Sequence, residues 1–504
     1  VAQACQELTD MAVNFSSDPT AVGFSAPARF EADVFDCEVH GQIPKDLDGA
    51  FYRAVTDWFY PPRFKDDAGP FNADGYVSMF RFQNGSVDYK GRYVKTQRYL
   101  ADRKARKQLF GMYRNRLTDD PNVQNVNRTI ANTSIYHHAG QLWALKEDAH
   151  PTVIDPNTLE TQGQWDFHGK YASKTFTAHP KTDPQTGEMI CYGYEATGDL
   201  SDDVFVYFVD KAGHIRREVR FKAPVVSMMH DIVLTEKHIV FNTCGFIANA
   251  ERLKAGKVHW AWDSSVPTYV GILPRDGDAK DICWFKGPES AAIHLLNGVT
   301  KNNKVIIETP VSDGNPFPFF PAADGTPWNP QRAHTVMRRW TFDLNSKKDS
   351  WEEEILFPQA PGGLPRIDER YISQPYRYGY LGYGDPSKPF NEAKAGNLRG
   401  RVTNCYARLD FATGKMNSYF VGDVGGLQEV QFIPRRKDAP EGDGYLIGVA
   451  ANYAEMHSEL VIIDAQRLEE GDIARVILPF RLAPQVHGWW VGADQLPLVP
   501  TPVA

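Results

Sequence analysis

Phe208-Val209-Asp210-Lys211-Ala212-Gly213 reads as the end of a strand running into a tight turn. An Asp side chain closes such a turn by bonding the backbone just after it, and Gly accepts the positive φ the turn needs. The signature recurs at Phe80-Arg81-Phe82-Gln83-Asn84-Gly85, Val153-Ile154-Asp155-Pro156, Leu273-Pro274-Arg275-Asp276-Gly277, Trp340-Thr341-Phe342-Asp343, Leu409-Asp410-Phe411-Ala412-Thr413-Gly414 and Val461-Ile462-Ile463-Asp464. From Asn84 to Asp464 the gaps are 71, 55, 66, 67, 67 and 54 residues, close to one seventh of the 504-residue chain. No helix-length amphipathic stretch recurs between the copies. The pattern therefore predicts an all-β fold, a seven-bladed β-propeller with loop and short-helix insertions capping one face. Residues 1–504 are expected to form a single propeller domain, with 1–30 as an N-terminal extension.

Four histidines keep step with these turns. His179 follows Asp155 by 24 residues, His230 follows Asp210 by 20, His294 follows Asp276 by 18 and His487 follows Asp464 by 23. In a propeller the strand entering each blade lines the central axis and the preceding hairpin lies at the rim, so residues at this phase point toward the axis. Neutral imidazoles suit borderline divalent cations such as zinc, iron, copper or nickel, whereas calcium and magnesium prefer oxygen ligands. Histidine ligands are usually oriented by carboxylates. Glu429 sits at the same phase, 19 residues after Asp410, and Glu147 is the second candidate. The corresponding position after Asp343 is Gly363, which has no side chain. The other ten histidines read as surface or core residues.

Composition narrows the alternatives. A net charge of −8 without basic blocks leaves no footprint for nucleic acid. Six scattered cysteines include no C-x-x-C pair, which argues against a thiolate metal site or a dense disulfide framework. No apolar run reaches the length of a membrane span, so no stable membrane insertion is expected. A cytoplasmic location is expected, with secretion left open by a start at Val1. Sequons at Asn14, Asn84, Asn127 and Asn132 matter only in a secreted chain.

The segments around the four histidines, Phe176-Thr177-Ala178-His179-Pro180-Lys181, Met228-Met229-His230-Asp231, the stretch at His294 and Val486-His487-Gly488-Trp489, resemble those of the carotenoid cleavage oxygenase superfamily. The likeness extends from about Phe30 onward. Leu109-Phe110-Gly111-Met112-Tyr113-Arg114-Asn115, Ala131-Asn132-Thr133-Ser134, Ala144-Leu145-Lys146-Glu147-Asp148 and Glu441-Gly442-Asp443-Gly444-Tyr445 are similar to its phenolic-alkene branch, the lignostilbene, resveratrol and isoeugenol oxygenases. The resemblance implies one iron(II) per chain on His179, His230, His294 and His487, with dioxygen as co-substrate and Glu147 and Glu429 behind the ligands. It further implies that Tyr113 and Lys146 bind a substrate phenol oxygen and act in catalysis, and that Phe71 stacks on the ring. The family's third orienting glutamate falls near Gly363, leaving water or Glu369 as substitutes.

The implied reaction is cleavage of the alkene of a phenolic stilbenoid by dioxygen, giving two aromatic aldehydes. Isoeugenol or 4-vinylphenol-type substrates are the alternative, and carotenoids a more distant one. The charged stretch Ala250-Glu251-Arg252-Leu253-Lys254-Ala255-Gly256-Lys257 favours a small aromatic substrate over a membrane-borne one. A non-catalytic propeller, or a calcium-dependent propeller hydrolase, would have no use for four phased imidazoles. Oligomeric state is left open.

Overall fold

In the computed structural model, residues 21–65, 67–398 and 402–497 are described, together with Val13 and Phe15. Asn14 and Cys5, and most of the expected N-terminal extension, lie outside them. Seven antiparallel sheets follow one another along the chain as the blades of a propeller. Five are four-stranded and continuous in sequence; the sheet starting at Ser134–His138, for example, runs outward to Thr161–Gln164.

Both chain ends are built into the ring. The C-terminal strand Gln485–Gly492 pairs with Gly49–Thr56 and supplies the innermost strand of the first blade, while Glu38–Gly41 adds the outer edge of the last. The seven turns of the sequence pattern each join the third strand of a blade to its outer strand. Several are held by the bonding their composition requires: Asp155 Oδ1 accepts from the Asn157 and Thr158 amides, and Asp210 Oδ1 from those of Ala212 and His214.

Burial along the strands follows blade position. Gly49–Thr56 and Met189–Tyr194 are buried at every residue, because neighbouring blades cover both faces of an inner strand. The outer strand Ser86–Tyr93 instead alternates between exposed and buried side chains. Apolar clusters fill the wedges between blades, such as Phe51 and Phe80 against Ile447 and Leu460. Among the described residues the α-helices are few and short, Gln97–Ala105, Ala250–Lys254 and Glu392–Ala395.

Neighbouring strands are antiparallel, so connections alternate between the two ends of the propeller. The second-to-third-strand and blade-to-blade connections therefore emerge together at the end opposite the seven turns. These carry the insertions, including residues 57–74, 94–133, 243–267 and 312–335, and they cap one face as the sequence pattern predicts.

The closing strand leaves no room beside His487. A Cβ on Gly488 would lie 2.6 Å from the Tyr52 carbonyl oxygen and would also collide with Arg53. Gly488→Val is expected to destabilise the fold by about 1–3 kcal/mol through overpacking, read as a lower urea midpoint.

Candidate metal centre

Each inner strand begins near the axis, and the residue at its entry faces the centre. His179, His230 and His294 lie two or three residues before the inner strands Lys181–Thr182, Ile232–Leu234 and Asn297–Lys301. His487 reaches the same place by a bulge, in which Val486 and His487 together oppose Ala54, a distortion that re-aims a side chain. Thr133, Gly363 and Glu429 hold the equivalent positions in the remaining three blades; Glu429 stands in the break between Gly425–Leu427 and Gln431–Pro434.

The four Nε2 atoms converge. His179 to His230 is 2.9 Å, His230 to His294 3.1 Å and His294 to His487 3.0 Å, and all four ligand atoms lie within 4.8 Å of one another. Ligands at right angles on an ion with metal–nitrogen bonds of about 2.1 Å would stand about 3.0 Å apart, against about 3.4 Å for tetrahedral edges. The spacing therefore suits neighbouring ligands at right angles better than the edges of a tetrahedron.

Carboxylates fix two of the rings. His230 Nδ1 bonds Glu147 Oε1, and His487 Nδ1 lies 2.7 Å from Glu429 Oε1. With these Nδ1 atoms as donors, the Nε2 lone pairs face inward, the arrangement a cation would hold together. Burial and the neighbouring imidazoles push His179 and His294 well below the ordinary histidine value, which keeps both neutral. Glu429 stays ionised: burial would raise it, but Arg366, His487 and Arg53 together hold it down to about 2. Arg53 Nη1 donates to Glu429 Oε2 at 3.0 Å, and the Gly488 amide to the same oxygen at 3.0 Å.

Asp231, which the sequence pattern passed over, ties three ligand segments together. Its carboxylate pairs with Lys181 Nζ at 2.9 Å, two residues past His179, and accepts from the Leu295 amide at 2.9 Å, one past His294. Its position beside His230 was the only available signal.

His294 has no such carboxylate. Among the described residues nothing hydrogen-bonds its Nδ1, and a Cβ on Gly363 would meet only Thr335 Oγ1, at 3.8 Å. Glu369 turns instead to Arg366 Nη1 at 3.6 Å and makes no bond to His294, so it is not the substitute. A cavity of about 30 Å³ bordered by His179, His294 and Glu369 has room for one water.

The phenol-binding candidates gather at the same end of the axis, on the capping insertions. Lys146 directly follows the strand Gln141–Leu145 and precedes Glu147, so adjacent residues face the aromatic cluster and the histidines. Lys146 Nζ donates to Asn132 Oδ1 at 3.0 Å and the Phe71 carbonyl at 3.3 Å, and lies 5.1 Å from the Tyr113 ring centre and 5.3 Å from that of Phe71. Burial lowers its pKa to about 8, although Glu147 and Asp148 act against this. The Tyr113 hydroxyl makes no hydrogen bond among the described residues. Phe317, Phe319 and Phe320, from the insertion at 312–335, pack around Phe71 with ring centres 4.8 to 5.4 Å away. Asn132 is 1% exposed and donates to the Ala73 carbonyl, so its sequon cannot be glycosylated in the folded chain. Five described cysteines are free thiols.

Seven blades around an axial histidine tetrad, with a buried lysine and aromatic cluster over it, define a propeller oxygenase. A family model described as retinal pigment epithelial membrane protein matches residues 25–492. The chain belongs to the carotenoid cleavage oxygenase family. It is 41% identical to lignostilbene-α,β-dioxygenase isozyme III of Sphingomonas paucimobilis, across 96% of this chain and 99% of that one. Isoeugenol monooxygenase of Pseudomonas putida is 40% identical, across 95% and 99%. The crystal structure of Pseudomonas brassicacearum lignostilbene dioxygenase superposes with a TM-score of 0.92 at 41% identity, covering 96% of this chain and all of that one. No helix among the described residues is long and apolar enough to cross a membrane.

Because His179 and His294 resist protonation when folded, the unfolded chain binds more protons below the ordinary histidine value. The metal-free protein is therefore expected to lose stability as pH falls below about 6.5, seen as a falling urea midpoint. His230→Ala is expected to lose most bound metal by elemental analysis while the remaining fold persists.

Proposed function

We propose that this protein is a non-haem iron(II) dioxygenase that cleaves the alkene of phenolic stilbenoids into two aromatic aldehydes, one oxygen atom of O2 going to each former alkene carbon. His179, His230, His294 and His487 would hold the metal, oriented in part by Glu147 and Glu429. Bound iron would supply dioxygen activation beside the double bond. The observation that carries the reading is the placement of a buried cation, Lys146, against Tyr113 and Phe71 and one residue from the carboxylate that backs His230.

The reading divides the work among named groups. Phe71 and the phenyl rings around it stack on the substrate ring and exclude water. Tyr113 Oη and Lys146 Nζ hold the substrate's phenol oxygen. With a pKa of about 8, Lys146 is mainly protonated near neutral pH, so it donates to the phenol oxygen and favours its ionisation. Charge released there is delocalised through the ring onto the para alkene, which becomes the electron-rich partner the reaction needs. This rationale also explains why a low-dielectric pocket is useful: the same N–H···O contact is stronger away from water.

The lignostilbene dioxygenase and isoeugenol monooxygenase relatives, at nearly equal identity, support substrates of one phenolic class with different alkene substituents. Incubating iron-loaded protein with resveratrol, a lignostilbene and isoeugenol should give aldehydes and O2 uptake with at least one of them, and no aldehyde without O2. Failure with all three would overturn the proposal.

Removing one buried charge-assisted contact costs about 1.5–3 kcal/mol, so Lys146→Ala should lower kcat/KM for 4-hydroxystilbene by roughly ten- to hundredfold. Full retained activity would exclude the phenol role. Deprotonation of Lys146 removes the cation, so kcat/KM is expected to fall as pH rises through about 8, in a pH–rate profile.

A further inference from the structure

Behind Tyr113 lies a second buried cluster of ionisable groups, away from the histidine centre. Arg114 Nη2 donates to Glu195 Oε2 at 2.6 Å, and His259 Nε2 stands 2.9 and 3.1 Å from the two Glu195 oxygens. His259 is 0% exposed and Arg114 and Glu195 are nearly as buried. The Leu200 amide donates to Glu195 Oε1 at 2.7 Å, and Asp199 closes the solvent side, 3.6 Å from Arg114. Glu195, Asp199 and His259 are close enough to ligate an ion. Arg114 already supplies the positive charge, however, and both Glu195 oxygens are engaged, so a second metal site is not the reading.

The cluster is instead joined to Tyr113 through the main chain. The His259 amide donates to the Tyr113 carbonyl at 3.0 Å, while the Tyr113 amide donates to Asp67 Oδ1 at 2.8 Å. Arg114 is the next residue in the chain. Tyr113 is thus gripped on its C-terminal side twice by one ion pair, once through His259 and once through Arg114. Both Arg114 and Glu195 take left-handed backbone conformations, φ 51° and φ 50°, which are uncommon for non-glycine residues. The Arg114 guanidinium also stacks over Trp260, 5.4 Å from the ring centre, closing the cluster against water.

We infer that Glu195 and His259 are positioning residues for the phenol clamp: through Arg114 and the Tyr113 main chain they fix the Tyr113 hydroxyl opposite Lys146. This rests on the reading of Tyr113 and Lys146 as the phenol-binding pair. Neither residue touches the substrate, so their loss should change recognition of the hydroxyl and leave the rest of the pocket and the metal intact.

The test compares binding of 4-hydroxystilbene and 4-methoxystilbene, followed by tryptophan fluorescence, in the iron-loaded protein and in Glu195→Gln, His259→Gln and Tyr113→Phe. The unsubstituted protein should prefer the phenol. Glu195→Gln and His259→Gln should lose most of that preference, about tenfold and near the level of Tyr113→Phe, with 4-methoxystilbene affinity and bound iron unchanged. Should the buried variants fail to fold, Asp199→Asn at the solvent edge perturbs the same network and is expected to lower the preference about twofold. Equal weakening of both ligands, or an undiminished preference, in Glu195→Gln and His259→Gln while Tyr113→Phe loses the preference would overturn the inference and leave the clamp standing. An undiminished preference in Tyr113→Phe would refute the clamp, and the inference with it. Equal affinity of the unsubstituted protein for the two ligands would refute the clamp itself, and the inference with it.

Discussion

Imidazole nitrogens whose lone pairs face one another across about 3 Å repel unless a cation lies among them, and this protein sets four in that relation at its axis. Much of the architecture works to keep them there. Ring closure by the two chain ends places His487, which a linear stack of blades would leave far from His179. Asp231 links the loops of His179, His230 and His294, and Glu429, held between Arg53 and Arg366, fixes His487. The charges around the centre compensate one another: a carboxylate that burial alone would neutralise stays ionised because two guanidinium groups share its cavity.

The tetrad is uneven. His230 and His487 have carboxylates behind them, whereas none among the described residues bonds His294 Nδ1. The six-residue separation between Gly363 and Glu369 makes exchange of roles look simple in sequence. In the fold the Glu369 carboxylate lies 3.6 Å from Arg366 Nη1 and makes no hydrogen bond to His294.

The link between centre and substrate side runs through single peptide units. Lys146 and Glu147 are consecutive residues entering the turn that leaves one strand. One reaches the aromatic cluster and the other His230. The capping insertions meet this strand end because antiparallel topology brings every second connection to the same end of the propeller. The meeting of Lys146 with Tyr113 and Phe71 is thus a consequence of the blade order, while the aromatic wall around them depends on long insertions from separate blades.

Sequence alone placed the blade count, the axial histidines and Glu429, because one signal, an Asx turn at regular intervals, fixes phase relative to an axis, and it offered Glu147 only as an off-phase second candidate. It also identified Phe71, Tyr113 and Lys146, though only through likeness to relatives, since an isolated tyrosine or lysine carries no periodic signal. Asp231, Arg53 and the Arg114–Glu195–His259 cluster were invisible to it. Their partners lie 50 to several hundred residues away in the chain, and His259, off the histidine phase, reads as an ordinary core residue. The placement of Glu369 was likewise decided only in three dimensions, where its carboxylate lies beside Arg366 rather than on His294. Periodicity can be read along a chain because it is local repetition; charge compensation cannot, because it depends on which groups burial forces to share one dry space.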